Sequence, residues 1–169
     1  LEAPKSHLDK AGTPMMGGLI ILVASLGPTL LWADIGNIFV ILIFLATLIL
    51  GGIGFMDDYL KVVKKKKKGL IARYKLAGQI FVGLMVGITI MLSPHQFADI
   101  ATATTMPFFK NLVFDFGKWL YVPFVILVIT ATSNAVNLTD GLDGLATGTV
   151  AIAFIGIMAI AYFTGNLQL

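Results

Sequence analysis

Residues 35–69 read IGNIFVILIFLATLILGGIGFMDDYLKVVKKKKKG. From Ile35 to Met56 no residue is charged, and a helix of that length covers roughly the 30 Å of a bilayer's hydrocarbon core. Two adjacent acids, Asp57 and Asp58, then close the run, followed by Lys61 and the block Lys64 to Lys68. An apolar segment ending in paired carboxylates and a lysine block is the pattern of a membrane span emerging into water. The fold follows from how often that pattern recurs.

It recurs along the whole chain. Met15–Ala33, Leu76–Leu92, Trp119–Val136 and Leu145–Phe163 are further uncharged apolar runs, so five spans are expected with Ile35–Met56. The chain is 57% hydrophobic and 12% charged, about half the charged fraction of an average soluble domain. Spanning segments must satisfy their backbone polar groups internally, which leaves helices. The expected class is therefore an all-α polytopic integral membrane protein, one transmembrane domain over 1–169. Pro28 predicts a kink in the first span. Gly83 and Gly87 stand at GxxxG spacing, which permits close helix contact, although glycines are common in membrane helices anyway. The absence of cysteine excludes disulfides and thiolate metal sites and leaves the redox compartment unread. The chain begins at Leu1 without the order of a signal peptide, and both ends read as cuts in a longer protein.

Five spans sort the loops onto two sides. Lys5, Lys10, Lys61, Lys64 to Lys68, Arg73 and Lys75 fall on one side; only Lys110 and Lys118 fall on the other. Short loops rich in Lys and Arg remain cytoplasmic. The lysine block is thus mainly a topology signal, with anionic lipid headgroups as a secondary partner. The segment 93–118, on the other side, reads as mixed loop with scattered charge.

Every unusual polar cluster lies on the lysine-rich side. PKSHLDKAGTPMMGG at 4–18 offers Lys10 and Thr13. DDYLK at 57–61 places Lys61 four residues after Asp57 and three after Asp58, within reach of either on a helix. One lysine can neutralise one acid and leave the other for a cation or a proton. Adjacent carboxylates suit a divalent ion, and Mg²⁺ takes one or two of them plus water and phosphate oxygens. SNAVNLTDGLDGLATG at 133–148 repeats Asn134, Asn137 and Asp140 every three residues, then breaks at two Asp-Gly turns, the second at Asp143. Asn and Asp side chains suit a polar nucleoside. An EF-hand is excluded because no glutamate occurs after Glu2. Each cluster also has a plain reading: a solvated helix end, or an Asn-rich end with capping aspartates. His7 and His95 are single, without zinc-ligand spacing, and no P-loop, GxGxxG or HExxH occurs.

In their order and spacing, PKSHLDKAGTPMMGG, GFMDDYLKVVKKKKKGLIARYKLAGQ and NAVNLTDGLDGLATG resemble the polyprenyl-phosphate N-acetylhexosamine-1-phosphate transferase superfamily. The form of the first block resembles its phospho-N-acetylmuramoyl-pentapeptide transferase branch. That resemblance implies transfer of a phospho-sugar from UDP-MurNAc-pentapeptide to undecaprenyl phosphate, giving lipid I and UMP, with Mg²⁺, at the cytoplasmic face of a bacterial inner membrane. It implies catalytic and metal-side roles for Asp57 and Asp58. It implies substrate binding by Lys10, Thr13, Lys61, Lys75, Asn134, Asn137, Asp140 and Asp143. Membrane lipids are expected partners, nucleic acid is not, and a homodimer is left open. Met15 departs from the family, which commonly has Thr there. The family's principal metal aspartate and a histidine-rich loop have no counterpart in these residues, so the chain is expected to hold about half of the enzyme. A sister transferase acting on UDP-N-acetylglucosamine is the near alternative. A transporter half is the alternative of another class, disfavoured because the acids sit at span ends on one side.

Overall fold

The computed structural model describes residues 17–66, 69–92, 102–106, 109–139 and 144–166. The elements, in order, are helices α1 (Gly18–Trp32), α2 (Ile38–Val62) and α3 (Ala72–Leu92), strands β1 (Ala103–Met106) and β2 (Phe109–Asp115), and helices α4 (Gly117–Thr139) and α5 (Leu145–Asn166). Four of them, α2 to α5, are long and apolar enough to cross a membrane; α1, at 15 residues, is shorter. The chain is a multi-pass helical membrane protein, as the run pattern predicts.

Helix boundaries differ from the apolar runs for local reasons. The second run starts at Ile35, but α2 starts at Ile38. Asp34 Oδ1 accepts from Gly36 N–H at 2.9 Å, and the N-cap Asn37 accepts from Phe39 N–H at 2.9 Å. These side chains satisfy amide groups that a helix start leaves orphaned. At the other end α2 runs past Met56 to Val62, so Asp57, Asp58 and Lys61 are helical. It stops where Lys65 adopts φ 52° and the Lys66 amide reaches back to the Leu60 carbonyl at 2.9 Å. A left-handed residue ends a helix in the usual way, here with lysine where glycine is commoner.

Consecutive helices pack antiparallel. A side chain at Gly51 of α2 would collide with Leu22 of α1, and one at Gly78 of α3 with Ile53 of α2. The tightest seam joins α3 and α4. Val82 is fully buried there, and a Cβ on Gly83 would lie 2.7 Å from the Ile126 Cα. One turn on, Gly87 faces Val122 at 3.4 Å. The GxxxG pair is therefore a true contact surface. Elsewhere most large apolar side chains are exposed, and residues 151–165 of α5 are exposed all round. That is the surface of helices solvated by lipid or by further protein.

The segment read as mixed loop contains an antiparallel hairpin instead. Ala103 pairs with Asp115, Thr104 with Phe114 and Thr105 with Val113, before the register shifts at Met106. Threonine, valine and phenylalanine favour a pleated surface, and that propensity outweighs the scattered charge. Thr102 donates to Asp115 Oδ1 at 2.6 Å and Gly117 N–H donates to the same oxygen at 2.8 Å. These contacts fasten the hairpin to the start of α4, where Phe116 stacks on Phe124 at 4.3 Å. The hairpin caps one end of the bundle, and the charged residues of α2 and α3 occupy the other.

Candidate functional site

The two acids at the end of α2 have different surroundings. One helical position apart, they point about 100° away from each other. Asp57 turns toward α3 and is 4% exposed. Its Oδ2 accepts from Lys61 Nζ at 2.7 Å and from Lys75 Nζ at 2.6 Å; its Oδ1 accepts from Leu70 N–H at 2.7 Å. The expectation that Lys61 neutralises one acid is met, with Lys75 joining it. Two ammonium groups on one oxygen lie within about 5 Å of each other, where like charges repel by roughly 3 kcal/mol at an effective dielectric near 20. The carboxylate between them offsets that repulsion by attracting both at shorter range. Lys61 and Lys75 remain 46% and 25% exposed, so the cations reach solvent while the anion does not.

Asp58 turns the other way, toward α1. It accepts no hydrogen bond from a described residue and lines a groove of about 260 Å³ with Gly18, Leu19, Ile21, Leu22, Gly51, Gly54 and Phe55. The groove is apolar apart from that carboxylate.

Gly69 and Leu70, just ahead of α3, close on Asp57. Gly69 sits at φ 57°, donates to the Lys66 carbonyl at 3.0 Å, and delivers the next amide, Leu70, to the buried acid. Four residues after Lys75 along α3, and so on the same face, comes Gln79, which is 6% exposed. Its Nε2 donates to Ser133 Oγ at 3.0 Å, and its Oε1 accepts from Asn134 Nδ2 at 3.0 Å. The start of α3 is thus a polar spine: Lys75 ties it to α2 and Gln79 to α4. Thr130 Oγ1, a turn below Asn134, is buried without a partner among the described residues.

Of the ten residues expected to form the site, the structure brings Asp57, Lys61 and Lys75 into direct contact and puts Asn134 on the same spine. Asn134 spends its amide on Gln79 and on the Thr130 carbonyl, at 2.8 Å. Asn137 is exposed at the same end of α4. Lys10, Thr13, Asp140 and Asp143 lie outside the described residues. Sequence reading missed Gly69, Leu70, Gln79 and Ser133. A lone glutamine in an apolar helix, one turn beyond a lysine, was the available signal; a backbone amide such as Leu70 leaves none.

A family model, Glycosyl transferase family 4, matches residues 40–169, which is most of the chain. The chain belongs to glycosyl transferase family 4. Within this family it is 54% identical to a phospho-N-acetylmuramoyl-pentapeptide-transferase of Chlorobium chlorochromatii, over 98% of this chain and 44% of that protein. It is 51% identical to one of Chlorobium phaeobacteroides, over 98% of this chain and 44% of the relative. It is 47% identical to one of Chloroherpeton thalassium, over 99% of this chain and 45% of the relative. The chain thus spans a little under half the length of the curated relatives it matches.

The two acids differ in their fitness for a divalent cation. Both Asp57 oxygens already take cationic or amide donors, so Asp57 is poorly suited as a ligand in this arrangement. Asp58 has no partner among the described residues and would supply one oxygen. Among the described residues no group of three or more His, Asp or Glu stands together. Asp58 would give a divalent ion a single carboxylate, and Mg²⁺, which takes one or two carboxylates and fills its shell with water and phosphate oxygens, is the ion whose habit that matches.

Proposed function

We propose that this chain forms part of an enzyme that transfers phospho-N-acetylmuramoyl-pentapeptide from its UDP-linked precursor to undecaprenyl phosphate, at the cytoplasmic face of a bacterial inner membrane. The observation that carries the reading is a carboxylate, Asp58, without a partner among the described residues, beside two lysines gathered on its neighbour at the end of a spanning helix. The names of the relatives support it. An acceptor whose tail lies in lipid and whose phosphate lies at the interface must react at such a helix end.

In the transfer, an oxygen of the lipid phosphate bonds to the phosphorus that carries the sugar. The bond from that phosphorus to the bridging oxygen breaks, and UMP leaves with the electron pair. There is little for the protein to do except position the two phosphates and neutralise charge. Lys61 and Lys75 offer ammonium donors to the pyrophosphate. Asp58 would hold a magnesium ion, which supplies charge stabilisation at the leaving oxygen when bound. Lys10, Thr13, Asn137, Asp140 and Asp143 are assigned to the nucleotide sugar, and Asn134 supports them by fixing α4 against α3.

The test uses the full-length protein in detergent with undecaprenyl phosphate, Mg²⁺ and UDP-MurNAc-pentapeptide, following UMP release. Metal-dependent release is expected, and chelation should abolish it. Release from UDP-N-acetylglucosamine alone would move the protein to the sister branch. Release from neither would overturn phosphotransfer.

A further inference from the structure

We infer that Asp57 and Gly69 are positioning residues, which together hold Lys61 and Lys75 side by side as a two-ammonium cradle for the pyrophosphate of the nucleotide sugar. The choice of ligand rests on the phosphotransfer reading above; the clamp itself rests on geometry.

A proton acceptor must come within hydrogen-bond reach of the group it deprotonates. Asp57 is 4% exposed, and its outward side is covered by the two lysines it binds. Those lysines are the accessible groups. Each ammonium has three N–H donors and spends one on Asp57, which leaves two each for an anion. The buried carboxylate keeps the two cations together, and up to four further donors remain for an anion that lands there. Charge-assisted bonds of this kind are the strong ones for phosphate.

Gly69 is the second half of the device. A Cβ at that position would fall on Asp57 Oδ1 and lie 2.7 Å from Lys61 Cε, and the backbone there is left-handed at φ 57°. Both conditions demand glycine. Any side chain pushes the loop away, and with it the Leu70 amide that holds Asp57 Oδ1. A residue with no functional group of its own thereby sets the position of two cations.

The test compares Asp57→Asn, Gly69→Ala and Asp58→Asn in the full-length protein. Kinetics are read across pH, and hydrogen exchange is read on the peptide containing Leu70. Asp57→Asn and Gly69→Ala should each raise KM for UDP-MurNAc-pentapeptide about tenfold or more, the scale of a lost charge-assisted contact. The acid limb of the kcat profile should stay in place. Both variants should speed exchange at Leu70, whereas Asp58→Asn should leave that exchange as it is. Loss of kcat at every pH in Asp57→Asn, with KM unchanged and Gly69→Ala near the parent, would make Asp57 the base and overturn the proposal. A lower Tm with unchanged KM would reduce the clamp to a structural salt bridge and overturn it equally.

Should Gly69→Ala fail to fold, the lysine background decides. Adding Asp57→Asn to Lys75→Gln should raise KM by no more than about twofold, because Asp57 then has one cation fewer to place. Full additivity would count against the cradle. If the parent turns over no sugar nucleotide, the functional reading falls but the clamp is still readable. Metal-free inorganic pyrophosphate should bind the parent and bind Asp57→Asn and Gly69→Ala more weakly, with faster exchange at Leu70. Equal binding by all three would overturn the inference.

Discussion

Asp57 and Asp58 are the same side chain at adjacent positions, and the packing of α1 and α3 gives them separate tasks. Asp57 is committed to Lys61, Lys75 and the Leu70 amide; Asp58 has no described partner. Asp58→Asn should therefore leave the Tm close to the parent's while lowering UMP release about a hundredfold or more, as loss of an electrostatic stabiliser does. A large fall in Tm with turnover kept would contradict that assignment. Gln79 poses a different problem. It joins Ser133 and Asn134 across an otherwise apolar seam, and removing it leaves both to find other partners. Gln79→Leu should destabilise by about 1–3 kcal/mol, and a double-mutant cycle with Asn134→Ala should show positive coupling. Additive effects would mean that the pair is not an interaction. The acid pair and its lysine at i+4 were legible from spacing alone. Which acid would be neutralised was not, because Lys61 reaches either one, and Lys75 decides only after α3 folds back.

At the scale of elements, the α3–α4 seam distinguishes two glycines that look equivalent in the GxxxG spacing. A methyl on Gly83 would meet the Ile126 backbone at 2.7 Å, where nothing can rotate away; on Gly87 it would meet Val122 at ordinary contact distance, 3.4 Å. Gly83→Ala should cost about 1–3 kcal/mol in detergent unfolding, and Gly87→Ala under about 1 kcal/mol. Equal effects would put the closest approach elsewhere along the helices. The hairpin carries a pH dependence of its own. The Thr102 hydroxyl, and after it the Gly117 amide, hold the Asp115 carboxyl below the usual carboxylate range. A depressed value stabilises the junction above the unfolded carboxylate pKa, near 3.9, and the contribution is lost as pH falls further through the folded value. Trp119, nearly fully exposed two residues past Gly117, can report this in a Trp32→Phe background. Its fluorescence should stay constant from neutral pH to about pH 4 and change below it. A change centred near neutral pH would point to another group. This hairpin was hidden from a reading that weighed charge above β-propensity, since Thr104, Thr105, Val113 and Phe114 do carry a strand signal.

For the whole molecule, the helix ends separate into a charged side and a hairpin side. Because the chain contains no cysteine, single cysteines can map that separation directly. Lys65→Cys should react with an impermeant maleimide only from the cytoplasmic side, and Val113→Cys only from the opposite side. Labelling of both from one side would reverse or break the topology. The number of apolar segments, their helical form and the side bearing the lysines were all determined by the sequence itself. A membrane-spanning backbone must bond within its own helix, so that reading needs no knowledge of the neighbours. Which acid the lysines bind, the approach of Gly69 and Leu70 to Asp57 and the amide link from Gln79 to α4 were decided only by tertiary structure. Each joins residues 13 to 55 positions apart, and a side chain's partner at such distance follows from how helices pack, not from its own spacing.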